Sequence, residues 1–443
     1  MNFTYRTAAS TENFINSIGV NTHIDFSNSS YSNLTVVENS ILYLGITNLR
    51  DSPESSADLG ATGLWQQVAT TTGAKFDAYI PEGSVANMQA SLSDISTLAK
   101  QGILNYVEGG NEEDQPYATS QGNRLAITAA FQEQVYAVGQ HAGLPVINMS
   151  FGVGWSTSST GDYGTVGNLA TYANYANAHT YPGTGNTPLT TLEALNSDAE
   201  LAANGNSVIT TEFGYYTDGR TTDASAVNPT VQAKYLLDGL MDAYSLGDTK
   251  TYLYELLDEG GTKGDAEANF GLFTSDGTPK LAATAIHNMT TLLADTGNSF
   301  TAGELGYNLA GTISTDHTLL LEKSDGSFWL AIWNEARLSG PTSPTPITVP
   351  DHTLVLTLAS TASEIEVFDP LNGTSSIQTV ANADTVSLSV PDHPILVEII
   401  PAAPAPQDLA VIVPTTVDVA PGALSSVSGV SMGFGEQWNS EPT

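Results

Sequence analysis

The chain contains no cysteine, which excludes a disulfide framework, a thiolate nucleophile and a cysteine-ligated metal site. Basic residues are also scarce, since 12 lysines and arginines stand against 47 acidic residues and leave a net charge of -35. A surface of that sign repels nucleic acid and anionic membranes, so neither is an expected partner. No apolar run reaches the length of about 20 residues that a membrane-spanning helix requires.

Composition and the two ends of the sequence bear on where the protein works. Charged residues make up only 13% of the chain, while serine, threonine, asparagine and glycine are abundant, as is common in exported proteins. Residues 1–4 lack the charged segment and apolar core of a signal peptide. Residues 401–406 are a run of proline and alanine, typical of a stiff linker, and strand-like residues follow them. We therefore expect a secreted, bacterial protein in which this chain is part of a larger modular polypeptide.

Apolar strand-like runs alternate with helical patterns between residues 14 and 293. The runs cover residues 18–25, 45–50, 75–80, 103–108, 145–150, 174–181, 207–212 and 251–257. Eight strands alternating with helices are typical of a (β/α)8 TIM barrel, which spans about 250 residues. A doubly wound open sheet is the rival fold, but no glycine-rich phosphate loop follows the first strand, as it does in nucleotide-binding versions.

The pattern changes after a predicted closing helix at residues 280–289. From residue 299 to residue 400, short alternating runs are separated by turn residues, which predicts an antiparallel β-sandwich. We therefore predict an α/β catalytic barrel over residues 1–293 and an accessory sandwich over residues 294–402. Residues 403–443 are predicted to be the linker and the start of a further strand-rich unit.

Two glutamates stand at the ends of predicted strands. Glu112 follows the fourth strand in the motif Asn111-Glu112, and Glu212 ends the seventh in the motif Glu212-Phe213-Gly214. Catalytic residues of a barrel lie at the carboxyl ends of its strands. Two carboxylates that face each other across a pocket can cleave a glycosidic bond, because one protonates the leaving oxygen and the other attacks the sugar. The alternative is that both are solvated surface carboxylates.

These two motifs resemble the acid/base and nucleophile motifs of the clan-A retaining glycoside hydrolases. With residues 19–23 and the trailing sandwich, the chain is most similar to the xylosidase and iduronidase-like branch (family 39-like) and its exopolysaccharide-cleaving relatives. The resemblance covers roughly residues 14–400. It implies a retaining glycosidase without a cofactor, in which Glu112 is the acid/base and Glu212 the nucleophile. The motifs specify the clan and the mechanism but not the substrate.

The resemblance also implies roles for residues around the two glutamates. It places Arg50 beneath Glu212, where the guanidinium would hold the carboxylate ionised; the alternative is a structural ion pair between Arg50 and Asp51. It implies that Asn111 hydrogen-bonds the sugar 2-hydroxyl and that Tyr181 donates to Glu212. His179 would lie near the acid or the sugar.

Further substrate contacts are predicted at strand ends and in the loops that follow them. The candidates are Asn21, His23, Trp155, Tyr215 and Glu255, the last of which (or Tyr254) stands where many clan members have a tryptophan. Near Glu112, we expect Glu108 to contact a neighbouring arginine and Glu113 either to point away or to line the rim.

The expected partner is a carbohydrate, neutral or sparsely charged, bound by a monomer. No metal site is predicted, because the histidines are scattered and the acidic loop at residues 258–267 lacks the spacing of a calcium-binding loop. A flexible rim is the preferred interpretation of that loop. The rival function is a catalytically silent glycan-binding or adhesin module on a barrel scaffold. The presence of both Glu112 and Glu212 favours the enzyme.

Overall fold

The structure is a computed structural model that describes most of the chain up to residue 402. The described residues are 3–24, 28–53, 63–81, 83–114, 124–152, 160–183, 185–217, 225–260, 266–340 and 343–402. Trp155 and the predicted further unit at residues 403–443 lie outside the described residues. No helix within the described ranges is long and apolar enough to cross a membrane.

The first part of the chain alternates strands and helices. Its strands are β1 Thr4–Thr7, β2 Ala9–Ser10, β3 Ile18–Asn21, β4 Asn48–Asp51, β5 Lys75–Ile80, β6 Leu104–Gly110, β7 Val146–Ile147, β8 Ala176–Thr180, β9 Val208–Phe213 and β10 Lys250–Leu253. Its helices are α1 Thr11–Asn16, α2 Leu34–Leu44, α3 Leu64–Thr72, α4 Val85–Gln101, α5 Arg124–Ala142, α6 Thr160–Val166, α7 Pro188–Ala203, α8 Pro229–Leu246 and α9 Leu281–Leu293.

Strands β3 to β10 form a parallel barrel. Their order is β7-β6-β5-β4-β3-β10-β9-β8, and a parallel bridge between Ile147 and Tyr175 joins the two ends of this series. Each strand overlaps the run predicted for it, so the TIM-barrel prediction is confirmed. Strands such as β9 are buried along their whole length because the barrel interior covers one face and helices cover the other.

The helices begin and end at residues suited to those positions. Helix α8 has Pro229 in its first turn, and the Asn228 side chain accepts a hydrogen bond from the backbone N–H of Val231 at 2.9 Å. The helix ends at Gly247, whose φ of 96° is the left-handed conformation that glycine adopts readily. Capping residues of this kind set where each helix begins and ends, and so they also set where the neighbouring strands end and begin.

The second part of the chain is an antiparallel sandwich. Its strands are β11 Glu304–Ala310, β12 Asp316–Glu322, β13 Phe328–Asn334, β14 Ser339–Gly340, β15 Ser343–Pro346, β16 His352–Phe368, β17 Ser376–Val390 and β18 Ile395–Pro401. The early half of β16 pairs with β11 and its late half, from Ala362, pairs with β18, so one sheet folds over on itself around an apolar core. The predicted sandwich is therefore confirmed.

The first residues of the chain belong to this second sheet, although the sequence predicts residues 1–293 to be barrel. Strand β1 pairs with β11, with Thr4 opposite Tyr307, and β2 pairs with β12, with Ala9 opposite Leu321. The sheet runs β1-β11-β16-β18-β13-β12-β2. The reason is geometric: β11 and β12 have open edges, and residues 4–10 satisfy their backbone hydrogen-bonding groups.

The barrel and the sandwich share an apolar interface. Trp329, Trp333 and Phe368 of the sandwich are buried in the same core cluster as the barrel helices. Polar contacts complete the junction, since the backbone N–H of Leu338 donates to the Tyr235 hydroxyl at 2.6 Å. Residues 1–402 accordingly form one compact unit.

Deleting residues 294–443 is expected to leave an insoluble or unstable barrel. The deletion exposes the barrel side of the apolar interface and removes the strands with which β1 and β2 pair. Soluble yield and the thermal midpoint by circular dichroism measure the effect. Deletion of residues 403–443 alone is the control, and should leave the midpoint unchanged because it spares the compact unit. A soluble, equally heat-stable barrel in the first variant would contradict the prediction.

Candidate active site

The two glutamates of the sequence motifs lie together at the carboxyl end of the barrel. Glu112 follows β6, and Glu212 lies within the last residues of β9. A carboxylate oxygen of Glu112 lies within 4.8 Å of one of Glu212. Glu212 is buried and Glu112 is partly exposed, so solvent reaches the pair from the side of Glu112.

Glycines at the ends of β6 and β9 allow neighbouring backbone to come close to these strands. A Cβ on Gly109 would stand 2.6 Å from the backbone nitrogen of Met149, so only glycine lets β6 pass so close to the chain after β7. A Cβ on Gly214 would stand 2.5 Å from the Tyr254 carbonyl oxygen. Glu112 itself has a φ of 44°, a left-handed conformation that costs a non-glycine residue roughly 1 to 3 kcal/mol and is found at functional sites.

Arg50 lies beneath Glu212 and joins the two strand ends. Its Nη1 donates to Glu212 Oε1 at 2.7 Å, and its Nη2 donates to Asn111 Oδ1 at 2.7 Å. The other side of the guanidinium makes a bidentate pair with Glu108, at 2.7 and 2.8 Å. The predicted contact between Glu108 and an arginine is therefore present, and Asp51 instead accepts from Thr22 at 2.7 Å.

Two side chains at the end of β8 contact the glutamates directly. The Tyr181 hydroxyl donates to Glu212 Oε2, as the resemblance implied. His179 Nδ1 lies 2.6 Å from Glu112 Oε1 and 3.3 Å from Glu212 Oε2. The 2.6 Å contact holds one proton between the imidazole and the Glu112 carboxyl group, so His179 links the protonation states of the two glutamates.

Burial dominates the electrostatics of the site. It raises the pKa of Glu212 above its ordinary value, while His179, Arg50 and the Tyr181 hydroxyl act in the opposite direction. Arg50 favours the ionised form of Glu212, as expected, but desolvation outweighs it. Burial also lowers the pKa of His179, with Arg50 adding to the effect, which favours the neutral imidazole.

A further carboxyl group lies below the site on β5. Asp77 is fully buried, and burial together with the charge of Glu108 raises its pKa well above the ordinary value. Burial and Glu108 thus disfavour a third buried negative charge beside Glu108 and Glu212, the two carboxylates that Arg50 bonds.

A second layer of residues borders the site at the ends of β3 and β10. The ring of Tyr254 packs edge-on against both Tyr181 and His23, at centroid distances of 5.9 and 5.8 Å. Glu255 is fully buried and accepts a hydrogen bond from the Tyr31 hydroxyl at 2.9 Å. Of the two residues predicted in place of the clan tryptophan, Tyr254 is therefore the one whose ring packs against Tyr181, the residue that bonds Glu212.

Several predicted contacts are corrected by the structure. Tyr215 is buried against Phe213 and Tyr235, so its ring offers no open face for stacking on a sugar. Asn21 is buried and engaged, because its Oδ1 accepts from Arg50 and its Nδ2 donates to the Thr211 carbonyl; it positions the arginine instead of touching substrate.

Of the two placements predicted for Glu113, the structure excludes the rim. Glu113 is buried and makes a two-point ion pair with Arg124, one arm of which measures 2.9 Å. Sequence reasoning also missed two residues. Tyr31 belongs to no motif. Asn177 lies two residues before His179 on β8, and its Nδ2 donates to Glu108 Oε1 at 2.9 Å. Alternate residues of a strand face the same side of the sheet, so a site role for His179 on β8 also indicates that Asn177 faces the site. Trp155 lies outside the described residues.

Solved structures that share this fold include glycoside hydrolases. No protein-family model and no curated protein matches the sequence. A family 39 glycoside hydrolase from Bacteroides cellulosilyticus WH2 superimposes with a TM-score of 0.59 at 13% identity, over 88% of this chain and 82% of that one. A glucosidase from Croceicoccus marinus gives 0.60 at 10% identity, over 90% and 97%. An endo-β1,6-glucanase gives 0.50 at 12% identity, over 91% and 96%. At these identities the likeness establishes the fold, and it confirms the predicted resemblance at that level.

Proposed function

We propose that this chain is a retaining glycoside hydrolase that cleaves a poly- or oligosaccharide by double displacement. The observation that carries the proposal is the approach of the Glu112 and Glu212 carboxylates to within 4.8 Å. Retaining enzymes hold their two carboxyl groups about 5 to 5.5 Å apart, whereas inverting enzymes leave about 6.5 to 9.5 Å for a water molecule. The glycosidase fold of the structural neighbours supports the same reaction class.

In the first step, Glu212 attacks the anomeric carbon while Glu112 gives its proton to the departing glycosidic oxygen. An ester between the sugar and Glu212 forms as the glycosidic bond breaks. In the second step, Glu112 takes a proton from water, the water attacks the anomeric carbon, and the Glu212 carboxylate leaves. Arg50 and Tyr181, which both bond that carboxylate, stabilise it each time it carries its charge.

The experiment that tests the function is a glycan screen with detection of new reducing ends. Purified chain is incubated with neutral poly- and oligosaccharides, and the anomer formed first is read by NMR. Release of reducing ends with retained configuration is expected. Binding without release would favour the silent adhesin module, and an inverted product would exclude double displacement.

We further propose that the substrate is neutral or sparsely charged. Arg50 is already bonded to Glu108 and Glu212, Lys280 pairs with Asp258 at 2.6 Å, and Lys75 begins β5 at the opposite end of the barrel. None of these cations is therefore placed to neutralise a substrate carboxylate. The net charge of -35 adds long-range repulsion, which physiological salt screens beyond about 8 Å.

Hydrolysis of a neutral glycan is expected to exceed that of a polyuronate, most clearly at low salt. Initial rates on both substrates at low and high ionic strength measure this, since salt weakens repulsion and should raise only the polyuronate rate. A preference for the polyuronate at low salt would contradict the proposed substrate class.

The acidic limb of the pH profile is expected to lie above the ordinary pKa of glutamate. Glu212 must be ionised to attack, and burial raises its pKa, so activity is lost at a higher pH as acid is added. Tyr181→Phe removes a hydroxyl that lowers this pKa, so the limb should move to higher pH still. Profiles of kcat/KM against pH on an aryl glycoside measure the shift.

Tyr215→Phe is the matched control for this profile. It removes a buried hydroxyl that bonds the Asn186 carbonyl oxygen and does not contact Glu212. Its limb should coincide with that of the unaltered protein. An unmoved or lowered limb in Tyr181→Phe would show that the tyrosine does not stabilise the ionised nucleophile.

A further inference from the structure

A second group of ionisable side chains lies beside the proposed active site and has no part in double displacement. His23 follows β3, and Glu255 and Glu259 follow β10. One nitrogen of His23 and one carboxylate oxygen of each glutamate all lie within 4.8 Å of one another. We call these three residues the His23–Glu255–Glu259 cluster.

The spacing inside this cluster suits metal ligands better than hydrogen-bond partners. His23 Nε2 lies 3.4 Å from Glu255 Oε2, well beyond the 2.7 to 2.9 Å of a charge-assisted hydrogen bond. Two ligands held about 2.0 to 2.1 Å from a tetrahedral zinc ion stand about 3.3 to 3.4 Å apart. The catalytic group differs, since its histidine and Glu112 are only 2.6 Å apart and a proton fills that gap.

Burial and the surrounding negative charges favour the binding of a cation at this cluster. Glu255 is fully buried, and its Oε1 has no hydrogen-bond partner among the described residues. Burial, and after it the nearby carboxylates of Glu259, Glu267 and Asp258, disfavour the charged form of this group. A buried carboxylate in such surroundings is costly unless it is paired or coordinates a metal.

His23 supplies a ring nitrogen to the cluster. The side chain is buried, and neutral imidazole is the form that ligates metals. The cluster therefore offers one imidazole nitrogen and two carboxylates.

Neighbouring groups hold the buried ligand in place. The Tyr31 hydroxyl donates to Glu255 Oε2 at 2.9 Å and accepts from the backbone N–H of Leu257 at 3.0 Å. Metal ligands are commonly oriented by such outer hydrogen bonds. The orientation of the Glu255 carboxylate is thus fixed independently of any sugar.

We propose that the His23–Glu255–Glu259 cluster binds one divalent transition-metal ion, with zinc the ion that the donors and their spacing suit best. Three protein ligands leave a fourth position open, as in zinc sites that also take water or substrate. Calcium fits less well, because it takes six to eight oxygen ligands.

Calorimetric titration of the full chain with zinc chloride tests the site. The protein is first dialysed against EDTA and then against metal-free buffer. The expected result is a zinc site at one ion per chain that His23→Gln and Glu259→Gln each weaken at least about tenfold. Circular dichroism of each metal-free variant verifies that it remains folded. Cobalt added instead of zinc should give the visible spectrum of a tetrahedral ion in the unaltered protein and lose it in Glu259→Gln.

Two control variants separate this site from its acidic surroundings. Glu267→Gln removes a carboxylate that contacts Tyr254 at 3.4 Å but lies outside the cluster, and Glu112→Gln removes one from the catalytic pair. Both should keep the zinc affinity within about threefold, which is under 0.7 kcal/mol. The proposal is overturned if the unaltered chain binds no zinc, if Glu267→Gln weakens binding as much as Glu259→Gln, or if Glu112→Gln removes the zinc that Glu259→Gln retains.

Discussion

Glu212→Ala is expected to abolish turnover of every glycoside, whereas Glu112→Ala should spare substrates with good leaving groups. Without Glu212 no ester can form, whatever the leaving group. Without Glu112 the first step lacks only a proton donor, which an activated aryl glycoside does not need. On an unactivated glycan the loss of general acid catalysis should lower kcat/KM about 10²- to 10⁴-fold.

Azide separates the two roles further. In Glu112→Ala the ester on Glu212 accumulates because no base activates water, and azide can attack it without giving up a proton. We expect added azide to restore turnover of an aryl glycoside and to yield a glycosyl azide of retained configuration. Glu133→Ala, which removes an exposed carboxylate from α5, is the control for loss of one acid. Equal losses in both variants on both kinds of substrate would contradict the assigned roles.

Arg50→Leu is expected to cost stability as well as activity. The substitution removes the cation that bonds Glu108 and Glu212, and leaves both carboxylates buried. Breaking a buried pair by removing one partner typically costs about 3 to 5 kcal/mol. The free energy of unfolding from urea titration measures the loss, and activity should be lost because Glu212 becomes harder to ionise.

A second variant tests whether Arg50→Leu loses stability through the unpaired buried charges or through lost packing. Arg50→Leu combined with Glu108→Gln removes one of the stranded charges, so part of the stability should return while activity does not. The deficit of the single variant should also shrink as pH falls, because a carboxyl group whose pKa burial raises is neutral at low pH and its burial then costs less. A deficit that is independent of pH, with no recovery in the double variant, would show that Arg50 acts through packing alone.

The positions of Glu112 and Glu212 at the proposed catalytic end of the barrel could be predicted, because the strand pattern shows which residues lie at strand ends. Period and length place Glu112 and Glu212 at strand ends, and the carboxyl ends of parallel strands meet at one edge of a barrel. The position of Arg50 under Glu212 was implied by the resemblance to clan-A hydrolases and not by the strand pattern. The strand pattern does not give the direction of side chains after a strand ends. For this reason the sequence predicts a substrate contact for Tyr215, three residues past Glu212, although its ring packs into the core beside α8.

Long-range pairings were beyond the sequence pattern for a different reason. Residues 4–10 have no local signal that names their partners, and any open strand edge could accept them. Likewise, nothing beside Tyr31 or Glu255 in sequence indicates that they bond each other across more than two hundred residues. Contacts of this kind depend on which groups the completed barrel brings together.

The attachment of β1 to β11 has a consequence for the order in which the protein is made. Thr4 leaves the ribosome before its partner Tyr307, which emerges about 300 residues later, roughly 15 to 60 s at about 5 to 20 residues per second. Throughout that interval the leading segment is an unpaired strand, and the shared apolar interface with the sandwich is unfilled. A nascent chain of this protein therefore exposes an unpaired strand to chaperones until the sandwich is made, and the sandwich sheet is completed by a segment that was synthesised before any of the barrel strands.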